Sequence, residues 1–112
     1  MSVISSHVLD TSLGKPAAAV SVSLAVLEDG AFVELGRGVT DQDGRVRQLL
    51  GESALTAGLY RLRFETGAHY RESGRDSFYE RVELQFHVTD PSQHYHVPLL
   101  LSPFGYSTYR GS

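Results

Sequence analysis

The chain has 112 residues, a formal net charge of −3 and no cysteine. That length supports one hydrophobic core, read as a single domain over residues 1–112. The mild acidity and scattered arginines argue against nucleic acid, and without cysteine there are no disulfides, thiolate chemistry or Cys-based zinc sites.

A first strand is expected near residues 3–9, where Ile4, Ser6 and Val8 alternate with Ser5, His7 and Leu9. The stretch LGKPA at 13–17 reads as a loop limited by Pro16. In VSVSLAVL, Val20, Val22, Leu24 and Val26 oppose Ser21, Ser23 and Ala25. EDG at 28–30 should close a hairpin onto a strand near 32–40, and DQDG at 41–44 another onto a strand near 45–50. LYRLRF sets Tyr60, Leu62 and Phe64 against Arg61 and Arg63. The pattern over 66–73 predicts a short helix, with Gly74 as its stop. RVELQFHV alternates again, and two further strands are expected near 94–101 and 104–110. Eight short, half-buried strands with frequent turns predict an all-β, antiparallel β-sandwich with one short helix. His69 and His87 read as surface residues.

No apolar run approaches the roughly 18–20 residues that span a membrane. MSVISSHVLD lacks the basic n-region, apolar stretch and cleavage site of a secretory signal. The absence of cysteine fits a reducing compartment, so a cytoplasmic location is expected, or a periplasmic one if a signal peptide has been trimmed.

The outer faces of the first and late strands depart from a plain sandwich. Tyr95, Val97 and Leu99 share one face, while His94, His96, Pro98 and Leu100 share the other. Ser5, His7 and Leu9 lie together in the first strand, and Ser107 and Tyr109 in the last. Apolar residues mixed with isolated imidazoles suit a subunit contact or a binding groove better than bulk surface.

Three motifs, SSHVLDTSLGKPA at 5–17, TDQDGR at 40–45 and HYHVPLLLSPFGYSTYRGS at 94–112, run end to end in order. In them the chain resembles the transthyretin-related family, and more narrowly its 5-hydroxyisourate hydrolase branch. The closing Tyr-Arg-Gly-Ser is the most specific element, because the hormone carriers of the family lack it. The resemblance implies a transthyretin-like, eight-stranded sandwich assembled as a homotetramer, with active sites in a channel between subunits. It assigns catalysis to His7, Arg45, His96 and Ser112. It further implies that Leu9, Pro98, Leu100, Ser107, Tyr109, Arg110 and Gly111 bind substrate together with Arg45.

The implied substrate is a planar oxidised purine whose ring amide is opened by water at the C6 carbonyl. Water must lose a proton as it attacks, which suits an imidazole titrating near neutrality. The developing oxyanion needs a fixed positive charge, which Arg45 can supply, and the leaving nitrogen needs a proton back. Which histidine is the base stays open at this point. No G-x-S-x-G elbow surrounds any serine, which disfavours a covalent serine route. Zinc held by His94, His96 and His7 is the chemical rival, but no carboxylate or cysteine is placed to help. The resemblance implies a metal-free reaction without cofactors. The alternative function is a carrier that holds an aromatic ligand in the channel without turning it over.

Overall fold

Alternation builds two sheets whose apolar faces meet. The structure is a computed structural model and describes residues 4–51 and 54–112, so Val3 of the expected first strand lies outside the described residues. The elements are β1 (Ile4–Asp10), β2 (Lys15–Pro16), β3 (Ser21–Glu28), β4 (Ala31–Val39), β5 (Arg45–Val46), β6 (Gly58–Phe64), α1 (Thr66–Glu72), β7 (Val82–Val88), β8 (Tyr95–Ser102) and β9 (Gly105–Thr108).

One sheet runs β2-β1-β8-β9, with β5 also paired to β1; the other runs β4-β3-β6-β7. Ile4, Val8, Tyr95, Leu99 and Leu101 of the first sheet pack against Val22, Leu24, Tyr60, Leu62 and Phe64 of the second, all buried. Truncating a buried aromatic such as Phe64 to Ala typically costs about 3–5 kcal/mol. The expected β-sandwich with one short helix is the fold observed.

Four details differ from the sequence expectations. Lys15–Pro16 forms a short strand against Leu9 and Asp10 inside the predicted loop. The strand expected over 45–50 ends at Val46, because Leu49 and Leu50 turn into the core. EDG does close the β3–β4 hairpin, with Glu28 opposite Ala31. DQDG is a turn but joins no such hairpin, because β5 leaves the sheet of β4 and pairs with β1 of the other sheet. Finally, β1 and β8 are parallel, whereas the other strand pairs of the described residues are antiparallel.

Candidate active site

The parallel β1–β8 ladder brings the two ends of the chain side by side. It sets Ser5 opposite His96, His7 opposite Pro98 and Leu9 opposite Leu100. On the other side of β1, Arg45 of β5 stands opposite His7. On the other side of β8, Gly111 bridges to His96 through an N–H···O bond of 2.8 Å. Registered partners point their side chains to the same face, and adjacent strands lie roughly 4.8 Å apart. Arg45 and His7 therefore form one row, and Ser5, His96 and Gly111 the next.

The turn before β5 fixes Arg45. Asp41 Oδ1 accepts from the amides of Asp43 at 2.9 Å and Arg45 at 3.0 Å, and these bonds hold its carboxyl below the usual carboxylate range. This makes the segment a structural turn rather than a cation loop. Gly44 sits at φ 75°, and a Cβ there would strike the carbonyl oxygen of Val8. Only glycine lets β5 press this closely on β1.

A cavity of about 260 Å³ opens over these rows, lined by Ser5, Ser6, Arg45, Val46, Arg47, His94, His96 and Ser112. Of the expected catalytic residues, Arg45, His96 and Ser112 line it directly. His7 stands beside it: it acts electrostatically on His96, and its own Nε2 is enclosed with no hydrogen-bond partner. Leu9, Pro98 and Leu100 continue the same face, Ser107 is paired with Leu100, and Tyr109 is exposed.

Arg110, expected among the substrate-binding residues, does not line this cavity. Its guanidinium lies 4.7 Å from the centroid of the Tyr95 ring and donates to Gln93 Oε1 at 2.8 Å. The reason is alternation: Gly111 faces His96, so the neighbouring Arg110 turns to the side of Tyr95.

His96 is held from two sides. Its Nδ1 meets Ser5 Oγ at 2.8 Å, and the same hydroxyl meets His94 Nε2 at 3.1 Å. Its ring lies so close to the tail that a Cβ on Gly111 would sit 2.7 Å from Cδ2. Burial first, and then the electrostatic influence of His7, His94 and Arg45, push its pKa below the ordinary histidine value. His96 is therefore neutral at pH 7, with an unprotonated nitrogen available to take a proton.

Arg45 and Arg47 stand apart from the other arginines. Arg37, Arg63, Arg71, Arg75 and Arg81 are paired with carboxylates, Arg61 lies over Phe32, and Arg110 over Tyr95. Among the described residues, no hydrogen bond or ion pair engages the guanidinium of either Arg45 or Arg47. Both act electrostatically on Asp41, but neither is tied to a direct partner, and two such cations at one cavity suit an anionic ligand or transition state. Sequence reasoning gave no role to Arg47, Ser5 or, beyond the zinc possibility, His94. The signal for Arg47 was present: Arg-Val-Arg puts both guanidiniums on one side of Val46, which is buried. Among the described residues, no three His, Asp or Glu side chains are grouped to hold a metal ion.

A model of the HIUase/transthyretin family matches residues 4–111. The chain belongs to this family. It is 46% identical over 110 residues to 5-hydroxyisourate hydrolase of Salmonella dublin, covering 98% of this chain and 81% of that one. The solved 5-hydroxyisourate hydrolase of Klebsiella pneumoniae superposes with a TM-score of 0.87 at 41% identity, covering 100% of both chains. Sea bream transthyretin in complex with thyroxine gives 0.89 at 34% identity, covering 96% and 93%. The backbone is shared equally by enzymes and carriers, so the family member's activity must be read from the side chains.

Proposed function

We infer that the protein is a hydrolase that opens 5-hydroxyisourate to 2-oxo-4-hydroxy-4-carboxy-5-ureidoimidazoline in urate degradation. The observation that carries this reading is the convergence of the His96 imidazole with the uncommitted guanidiniums of Arg45 and Arg47 on one cavity, beside His7. The named hydrolases at 41–46% identity support it. A carrier has no use for titrating groups around its ligand.

In the mechanism we propose, His96 is the base. Its free nitrogen takes a proton from water as the water oxygen bonds to C6. Arg45, with Arg47 beside it, offsets the charge that gathers on the former carbonyl oxygen. When C6–N1 breaks, N1 receives a proton from the imidazolium, or from His7, and the new carboxyl ionises. Ser112, at the cavity wall, orients water or substrate. Arg110 holds the tail in place rather than touching substrate.

We read the assembly as a homotetramer with active sites where subunits meet, in a cytoplasmic setting. Both sheets end in strands, β7 and β9, with one edge unpaired among the described residues. An apolar cavity of about 350 Å³, lined by Leu84, Phe86, Tyr95 and Val97, opens between the two sheets. Phe78 and Phe104 are 71% and 70% exposed, a liability that a second copy would cover.

The test is direct. Generate 5-hydroxyisourate from urate with urate oxidase and follow its ultraviolet decay with and without the protein. Acceleration over the spontaneous rate is expected, and His7→Ala, Arg45→Ala and His96→Ala should each lower it at least about tenfold. A wild-type protein that leaves the decay unchanged returns the carrier reading to first place.

A further inference from the structure

We propose that Ser5 and His94 form a hydrogen-bonded relay that fixes the tautomer of His96 and carries its positive charge outward to His94 during turnover. This inference rests on the hydrolase reading above. Ser5 Oγ lies between two imidazoles, 2.8 Å from His96 Nδ1 and 3.1 Å from His94 Nε2. The serine is buried at 7% exposure, so water does not compete freely for its hydroxyl. A hydroxyl has a single proton to donate. It can donate to only one of the two rings, so at least one ring donates to Ser5, and in the relay that ring is His96.

At rest, His96 Nδ1–H donates to Ser5 Oγ, and the Ser5 hydroxyl donates to His94 Nε2. This arrangement leaves His96 Nε2 unprotonated, the state required of a base, with no other nitrogen of that ring free to compete. When Nε2 takes a proton from water, the ring becomes an imidazolium. The Nδ1 proton then moves to Ser5 Oγ while the Ser5 proton moves to His94 Nε2. The positive charge now resides on His94, which is exposed to bulk water. When the leaving nitrogen takes the Nε2 proton, Ser5 returns a proton to His96 Nδ1 and His94 Nε2 returns one to Ser5, which restores the resting state.

The proton balance gives the relay a purpose. The net proton of the reaction leaves from the new carboxyl, but the proton taken from water must be kept until the leaving nitrogen claims it, and its charge is disfavoured on a half-buried ring beside Arg45. The groups facing His96 are His7 on β1, Arg45 and Arg47 from the β5 segment, His94 ahead of β8, and Ser112 in the tail, while Arg110 is turned to Tyr95. Among the described residues no carboxylate side chain lines this cavity. His94 is thus the acceptor that joins the site to solvent, and three fixed heavy atoms make the path without any displacement.

Long-range ¹H–¹⁵N spectra of histidine-labelled, ligand-free protein read the tautomers without reference to activity. The expected result is His96 protonated at Nδ1, with that preference weakened in Ser5→Ala and kept in Ser5→Thr. In turnover assays His94→Gln should lower kcat about tenfold, leave KM nearly unchanged, and regain rate with added imidazole buffer. Ser5→Thr should retain activity where Ser5→Ala loses it. His96 protonated at Nε2 in the wild type, or a His94→Gln rate indifferent to imidazole, overturns the relay. Failure of the wild type to hydrolyse 5-hydroxyisourate would instead sink the functional reading and leave the tautomer result standing.

Discussion

Gly111→Ala isolates the fit between the tail and His96. The added methyl carbon would lie 2.7 Å from His96 Cδ2, 3.3 Å from Cγ and 3.2 Å from the carbonyl oxygen. Ordinary carbon–carbon contact begins at about 3.5 Å, so the ring or the tail must yield by about 0.8 Å. The tail cannot retreat without stretching the 2.8 Å Gly111 N–H···O=C bond to His96, which is worth about 1 kcal/mol. The ring cannot retreat without disturbing its 2.8 Å contact with Ser5. A displacement near 1 Å at a reacting group costs up to about a hundredfold in rate. We therefore expect kcat to fall about 10- to 100-fold, with global stability lowered by no more than about 1 kcal/mol. The assay is the ultraviolet decay of enzymatically generated 5-hydroxyisourate, corrected for its spontaneous hydrolysis, with urea unfolding as the stability control. Gly105→Ala, whose methyl would meet Ser102 Oγ at a comfortable 3.7 Å, should be neutral. Full activity in Gly111→Ala would refute the close-approach reasoning, as would independent, additive losses in a cycle with His96→Ala.

Arg110→Ala should lower kcat several-fold by loosening Gly111 and Ser112, and Gln93→Ala should mimic it, because the two side chains form one 2.8 Å contact. A raised KM with unchanged kcat would instead mean that Arg110 touches substrate. Burial pushes both His69 and His96 below the ordinary histidine value. A histidine depressed in the native state binds fewer protons there than in the unfolded chain, so stability is lost as pH falls below about 6.5. The urea midpoint should therefore be lower at pH 5.5 than at pH 7.5. His69→Phe, which removes a ring whose Nε2 is enclosed without a partner, should narrow the gap. Asp10 does not cloud that window: burial raises it, but Ser12, Arg75 and the Leu13 amide together hold it below the ordinary aspartate value.

Period-two alternation made β3, β6 and β7 legible, because Leu24, Leu62 and Val82 must face one core while Ser23, Arg63 and Glu83 face away. It could not reveal β2, since Lys15–Pro16 is too short to carry a period, nor the parallel sense of β1 and β8, since alternation does not encode a partner's direction. His69, expected at the surface, is half-buried because α1 packs its Tyr70 side into the fold. At the site, parity puts His7 and His96 on one face, and the β1–β8 register agrees. The same parity could have set Arg47 with Arg45 and turned Arg110 away from Gly111. The Ser5 bridge is different in kind: it depends on register between segments some ninety positions apart, which no local pattern contains.

That distance has a kinetic consequence. The imidazoles of His7 and His96 come from opposite termini of the domain, joined by a strand pairing of very high contact order. Such pairings close late, after most loop entropy has been lost. A chain emerging from the ribosome has no trace of the pocket until β8 and the tail are out, so enzymatic activity reports completed folding rather than any partly ordered intermediate. A lesion that merely delays β8, far from every reacting atom, would then surface as a lag in the recovery of turnover after dilution from denaturant.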